Sequence, residues 1–161
     1  MSQPIAFHLN GLPAHAQAGE TLWEVAQRQG IEIPHLCHKP GYRPDGNCRA
    51  CVVEVKGERT LAASCCRTPM AGMVVHTDSE RAQKSRALVM ELLLADRPDS
   101  GVQWVDGEAR LPHGELSQWA RDMGVRVRPA LQALRGAAAQ DSAGVAWRDD
   151  SHPAMAVDLS A

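Results

Sequence analysis

The sequence predicts an α+β fold, with four or five short strands around one helix, then a longer helix and a small, mostly helical or irregular C-terminal unit. Three observations carry this reading. Asn10-Gly11 separates two short extended runs, as in a β-hairpin. Thr21 and Glu24 form a capping box that opens a helix. Short β-rich runs then recur from Cys51 onward, broken by Lys56-Gly57. The chain has 161 residues and is 44% hydrophobic, which suits one principal core. Aromatics are only 4%, so that core is built from Leu, Val, Ile and Ala.

Taken in order, Pro4 to Leu9 and the run to about Gln17 read as the first hairpin, and the helix opened by Thr21 is expected to stop at Gly30. Residues 34–51, with three prolines and two glycines among three cysteines, read as a rigid loop. Cys51 to Val55 and Arg59 to Ala63 read as a second hairpin, with Met73 to Thr77 as a further strand. A strong helix is expected from Ser79 to Ala95. Leu88, Leu92 and Ala95 share one stripe, with Val89 and Leu93 beside it, and Asp96-Arg97-Pro98 ends the run. Beyond it, helices are expected at Glu115 to Met123 and at about Pro129 to Leu134.

All five cysteines fall between Cys37 and Cys66, in the pattern Cys37-x10-Cys48-x2-Cys51-x13-Cys65 with Cys66 adjacent. An odd number of clustered cysteines points to metal or redox chemistry more than to disulfides. Four thiolates can close the two tetrahedra of a sulfide-bridged iron pair, so Cys37, Cys48, Cys51 and Cys65 are the candidate ligands of one 2Fe-2S cluster. If Cys65 and Cys66 lie on a strand they point to opposite sides, and Cys66 then reads as a small buried apolar residue behind the site. Gly41, Gly46, Asn47, Arg49 and Ala50 can bring backbone N–H groups toward the sulfurs. Two other chemistries use the same residues: a structural zinc site, although only Cys48 and Cys51 form a close couple, and a thiol-disulfide pair at Cys48-Arg-Ala-Cys51.

A formal net charge of −2 gives no broad reason to expect nucleic acid or an anionic membrane as partner. No spanning apolar stretch or secretory leader pattern occurs, so a cytoplasmic location is expected. Between residues 39 and 67, six Lys or Arg face three Asp or Glu, an excess of +3 that can offset a negative cluster or guide a redox partner. His35 and His38 flank Cys37 and read as solvated or supporting residues. Trp104, Trp119 and Trp147 read as core or docking residues. No triad, paired-carboxylate or phosphate-loop pattern is present, so no catalytic site is expected in the chain itself.

The run HLCHKPGYRPDGNCRACVVEV, followed by LAASCCRTPMAGM, resembles the N-terminal 2Fe-2S domain of the large subunit of cytosolic NAD-dependent formate dehydrogenases. Related domains occur in the large cluster-bearing subunit of complex I and in hydrogenases. The resemblance covers residues 3 to about 98. It implies a ferredoxin-like β-grasp domain over 1–78, a linking or docking helix over 79–98, and the four ligands named above. It also implies a flavin/NAD diaphorase subunit and a formate dehydrogenase catalytic part as partners. A 4Fe-4S site with one His and three Cys normally follows in that family. Here Arg97, Gly101, Trp104 and Arg110 stand at those positions, so 99–161 reads as a degenerate version without cluster ligands. The final run from Ser151 to Ala161 resembles the segment that leads into a further ferredoxin module.

Overall fold

The computed structural model describes residues 3–96 and 114–133, and the backbone of 103–105, 108–110, 148–152 and 155–158. Two strands, β1 (Ile5–Leu9) and β2 (Leu12–Ala16), form the N-terminal hairpin, followed by helix α1 (Leu22–Arg28). Next come β3 (Val52–Val55), the two-residue β4 (Ala62–Ala63) and β5 (Val74–His76). The sheet order is β2-β1-β5-β3-β4, with β1 and β5 parallel and the other pairs antiparallel. The α+β expectation therefore holds. Both residues of the Asn10-Gly11 turn take positive φ (51° and 81°), the geometry that suits a twisted two-residue hairpin. Asn10 then ties the hairpin to the end of β5, accepting from the Thr77 N–H and donating to the Thr77 hydroxyl, each at 2.7 Å.

Alternation along β1 sends Phe7 and Leu9 inward and leaves Ala6 and His8 exposed. Against that face α1 buries Leu22, Trp23, Val25 and Ala26. Each large apolar side chain so covered contributes about 2 kcal/mol of transfer free energy. The free donors at the start of α1 are all accounted for. Leu22 N–H donates to the Arg67 carbonyl (2.8 Å), Trp23 N–H to the Ser64 carbonyl (3.1 Å) and Glu24 N–H to the Thr21 hydroxyl (3.2 Å). The Thr21 N–H returns to the Glu24 carboxylate at 2.7 Å, completing the capping box. Two of those acceptors, the Ser64 and Arg67 carbonyls, flank the Cys65-Cys66 pair, so the helix start and the cysteine turn are one hydrogen-bonded unit.

Helix α2 (Glu80–Ala95) begins at a Ser79 cap and packs on β3. Val53 and Val55 face the α1 side, and Val52, opposite by strand alternation, is also buried. The apolar stripe expected from the sequence faces largely outward: Leu88, Leu92 and Leu93 are exposed, while Ala82, Arg86, Met90, Glu91 and Leu94 are buried. The buried face tolerates charge because its polar groups have distant partners. Arg86 donates to the Thr77 carbonyl, and Glu91 accepts from the Arg128 side chain (2.7 Å) and backbone (2.9 Å). Helix α3 (Glu115–Asp122) closes on the end of α2 through Leu94, Ala120 and Val127.

The expected helix at Glu115 is thus present, and a helical turn occupies 129–133. The described backbone also pairs β6 (Gln103–Val105) with β7 (Glu108–Arg110) and β8 (Arg148–His152) with β9 (Met155–Asp158), strands that the sequence did not lead us to expect. The expected second strand of the β3 hairpin shrinks from Arg59–Ala63 to Ala62–Ala63. The Arg97 and Gly101 positions of the degenerate cluster site, the side chains of Trp104 and Arg110, Trp147, and much of the Ser151 to Ala161 run lie outside the described residues. No helix among the described residues is long and apolar enough to cross a membrane.

Candidate metal centre

From Ile31 to Cys51 the chain forms neither helix nor strand, as the prolines and glycines dictate. It turns on Gly41 (φ 85°), Gly46 (φ 69°) and Arg49 (φ 56°). At Gly46 the requirement is steric as well as conformational: a Cβ there would lie 2.8 Å from the Cys66 sulfur. The same loop carries Cys37 and Cys48, both half-buried, and delivers Cys51 to the start of β3.

Cys51 and Cys65 are brought together by the sheet. Val52 pairs with Ala63, and beyond that pair the Ser64 N–H and hydroxyl both donate to the Cys51 carbonyl, at 3.2 and 2.7 Å. The two sulfurs end 3.3 Å apart and are fully buried. The spacing is far beyond a disulfide bond of about 2.05 Å. It is close to the sulfur–sulfur edge of about 3.8 Å around a tetrahedral metal with thiolate bonds of about 2.3 Å. Burial pushes the Cys65 thiol well above its ordinary range, and the neighbouring Cys51 and Cys66 sulfurs push it further. A thiol so buried stays protonated unless a cation compensates it, which is the electrostatic condition that a metal ion reverses.

Cys66 departs from expectation. It is exposed, and its sulfur lies 3.6 Å from that of Cys65 and 3.8 Å from the Pro44 carbonyl. The argument from strand alternation fails because residues 64–66 form a turn after β4, where neighbours need not oppose one another. His38 also departs from a solvated role: it is 5% exposed, and neither ring nitrogen has a partner. Trp23 sits edge-on to both His35 and His38, at centroid distances of 4.7 and 4.9 Å. Trp119 of α3 reaches His35, and these rings border a cleft of about 240 Å³ beside Gln27 and Ile31.

The structure therefore assembles half of the expected ligand set. Cys51 and Cys65 form a buried pair, while Cys37 and Cys48 lie half-buried on the loop. Among the described residues no group of three or more His, Cys, Asp or Glu side chains is gathered for a metal ion. The donors present nonetheless suit an iron–sulfur group: soft sulfur, dry surroundings and a loop turned by glycines.

Compared with known proteins, residues 2–80 match the model of the 2Fe-2S iron-sulfur cluster binding domain. Residues 2–80 are a 2Fe-2S domain. The 78 kDa subunit of mitochondrial NADH-ubiquinone oxidoreductase from Candida albicans is 40% identical to the chain over 90 residues, 56% of this chain and 12% of its own length. A subunit of the Streptomyces coelicolor NADH-quinone oxidoreductase is 38% identical over 121 residues, 73% of this chain and 14% of the relative. The crystal structure of an NAD+-reducing NiFe hydrogenase in the H2-reduced state superposes with a TM-score of 0.62 at 30% identity, covering 76% of this chain and 50% of that one. The chain thus spans about an eighth of the length of the curated relatives. The 2Fe-2S domain takes one 2Fe-2S cluster, as its cysteine spacing implied.

Proposed function

We infer that Cys37, Cys48, Cys51 and Cys65 bind the cluster and that the chain is a one-electron relay within a larger NAD-linked redox assembly. The carrying observation is the buried Cys51–Cys65 sulfur pair at 3.3 Å, held by β3 and β4 within a 2Fe-2S domain. The sheet order with α1 against one face supports the ferredoxin-like β-grasp assignment. When bound, the cluster supplies a one-electron couple. The chain's own part is to offer four thiolates, keep water from the Cys51–Cys65 side, and present loop N–H groups that favour the more negative reduced state. The assignment needs no acid, base or nucleophile, and we place the protein in the cytoplasm.

The partners follow from the same reading. A flavin/NAD diaphorase subunit on one side and a formate-oxidising part on the other are supported by the motif resemblance. A complex I or hydrogenase relay is supported by the relatives above. Purification of the native assembly separates them: NAD reduction driven by formate selects the first, and by hydrogen the hydrogenase form. The cluster itself is tested by electron paramagnetic resonance of anaerobically purified protein before and after dithionite, with iron and sulfide assays. A silent oxidised state that becomes paramagnetic on reduction, with about two irons and two sulfides per chain, is expected. Zinc without iron would make this a structural domain.

A further inference from the structure

His38 is buried at a cost that nothing else in the fold explains. Its ring is 5% exposed, and both Nδ1 and Nε2 are shielded from solvent with no hydrogen-bond partner. Buried polar nitrogens are paired in nearly all folded proteins, and an orphan marks a missing partner. His35 provides the contrast: half-buried, it has its Nδ1 3.2 Å from the Ile33 carbonyl. Trp23 cannot serve His38, because its indole N–H is directed to the same Ile33 carbonyl at 3.3 Å. It packs edge-on to the His38 ring at 84° and so limits how that ring can turn.

Chain position supplies an acceptor. His38 directly follows Cys37, a ligand in the functional reading above on which this inference rests. We propose that His38 is a positioning residue that donates a ring N–H hydrogen bond to sulfur on the Cys37 side of the cluster and thereby holds its reduction potential up. Reduction adds one negative charge, so a donor aimed at sulfur stabilises the reduced form more than the oxidised one. The dry setting strengthens that preference.

The test is a redox titration followed by electron paramagnetic resonance on the full chain, comparing the unmodified protein with His38→Leu, His38→Gln and His35→Gln. Expected is a lower midpoint potential in His38→Leu at unchanged iron and sulfide content, recovery of most of the shift in His38→Gln, which keeps an N–H donor, and no shift in His35→Gln. The reduced, unmodified protein carrying 15N-histidine should also show a weak nitrogen hyperfine coupling, which decides the matter even if His38→Leu does not hold its cluster. An unchanged potential in His38→Leu, or no nitrogen coupling, would overturn the proposal and leave the ring a packing role. A strong coupling from a directly bound nitrogen would overturn it in favour of His38 as an iron ligand. Absence of iron and sulfide from the unmodified protein would instead sink the cluster reading itself.

Discussion

Cys51 and Cys65 are set by paired strands and lie in contact, whereas Cys37 and Cys48 ride a stretch from Ile31 to Cys51 that forms neither strand nor helix. The first pair is held by the Val52–Ala63 register, the two Ser64 bonds to Cys51, and the α1 donors that clamp the turn. The second pair sits on a loop turned at Gly41, Gly46 and Arg49 and tied to the rest by fewer bonds, among them Arg49 to the Leu61 carbonyl at 3.0 Å. The difference teaches that cluster affinity and apo stability are written in different cysteines.

The sharpest break of this comparison uses the cysteines themselves. Cys65→Ala and Cys48→Ser are each expected to abolish the visible absorbance of the cluster. Only Cys65→Ala should also destabilise the apoprotein, by about 1 kcal/mol in urea denaturation, because it alone removes a fully buried sulfur. Equal apo stabilities would mean that the sheet pair is no better anchored than the loop pair. Next in size is Gly46→Ala, which forces an L side chain to φ 69° at about 1–2 kcal/mol and drives its Cβ against the Cys66 sulfur. Reconstituted iron content should fall. Adding Cys66→Ala should recover the part due to the clash and none of the part due to φ.

Thr21→Ala removes the cap of α1 and is expected to cost about 1 kcal/mol, read as a lower Tm. The loss should reach the Cys65 turn through the Ser64 and Arg67 carbonyls, seen as faster release of iron to a chelator. Cys66→Ser should leave the visible spectrum unchanged; loss of colour would move the fourth ligand from Cys65 to Cys66. The smallest effect is acid-dependent and lies away from the cysteines. The Arg128 hydrogen bond holds the Glu91 carboxyl below the usual range. A carboxyl whose folded pKa is depressed stabilises the fold above its unfolded value of about 4.3, and loses that contribution as pH falls through the folded value. Fluorescence of Trp119 should therefore report loosening of α3 below about pH 4, absent in Glu91→Gln.

What can be read from the sequence is local. Asn10-Gly11 and the Thr21–Glu24 box carry their geometry within a few residues and appear as expected, and the proline-rich cysteine stretch forms neither helix nor strand, as its composition predicts. The cysteine spacing identifies the 2Fe-2S chemistry for the same reason. The misreadings are long-range. Leu88 and Leu92 face outward because the buried side of α2 is taken by Arg86 and Glu91, which pair with the Thr77 carbonyl and with Arg128, 37 residues from Glu91. Strand alternation misplaces Cys66 because β4 ends at Ala63, one residue before the turn that reorients the vicinal cysteines. His38 can be flagged only by its adjacency to Cys37, since burial of a histidine has no sequence signature.

The strand order has a further consequence for how the site is made. β5 lies between β1 and β3, yet it is the last of the five strands in the chain. During synthesis all five cysteines leave the ribosome before the strand that joins the two hairpins into one sheet. The nascent thiols therefore lack their final scaffold until residues 74–76 emerge, and the Asn10–Thr77 bonds close 67 residues of chain in one step. A cell making this protein has to keep five reduced thiols from oxidation over that interval.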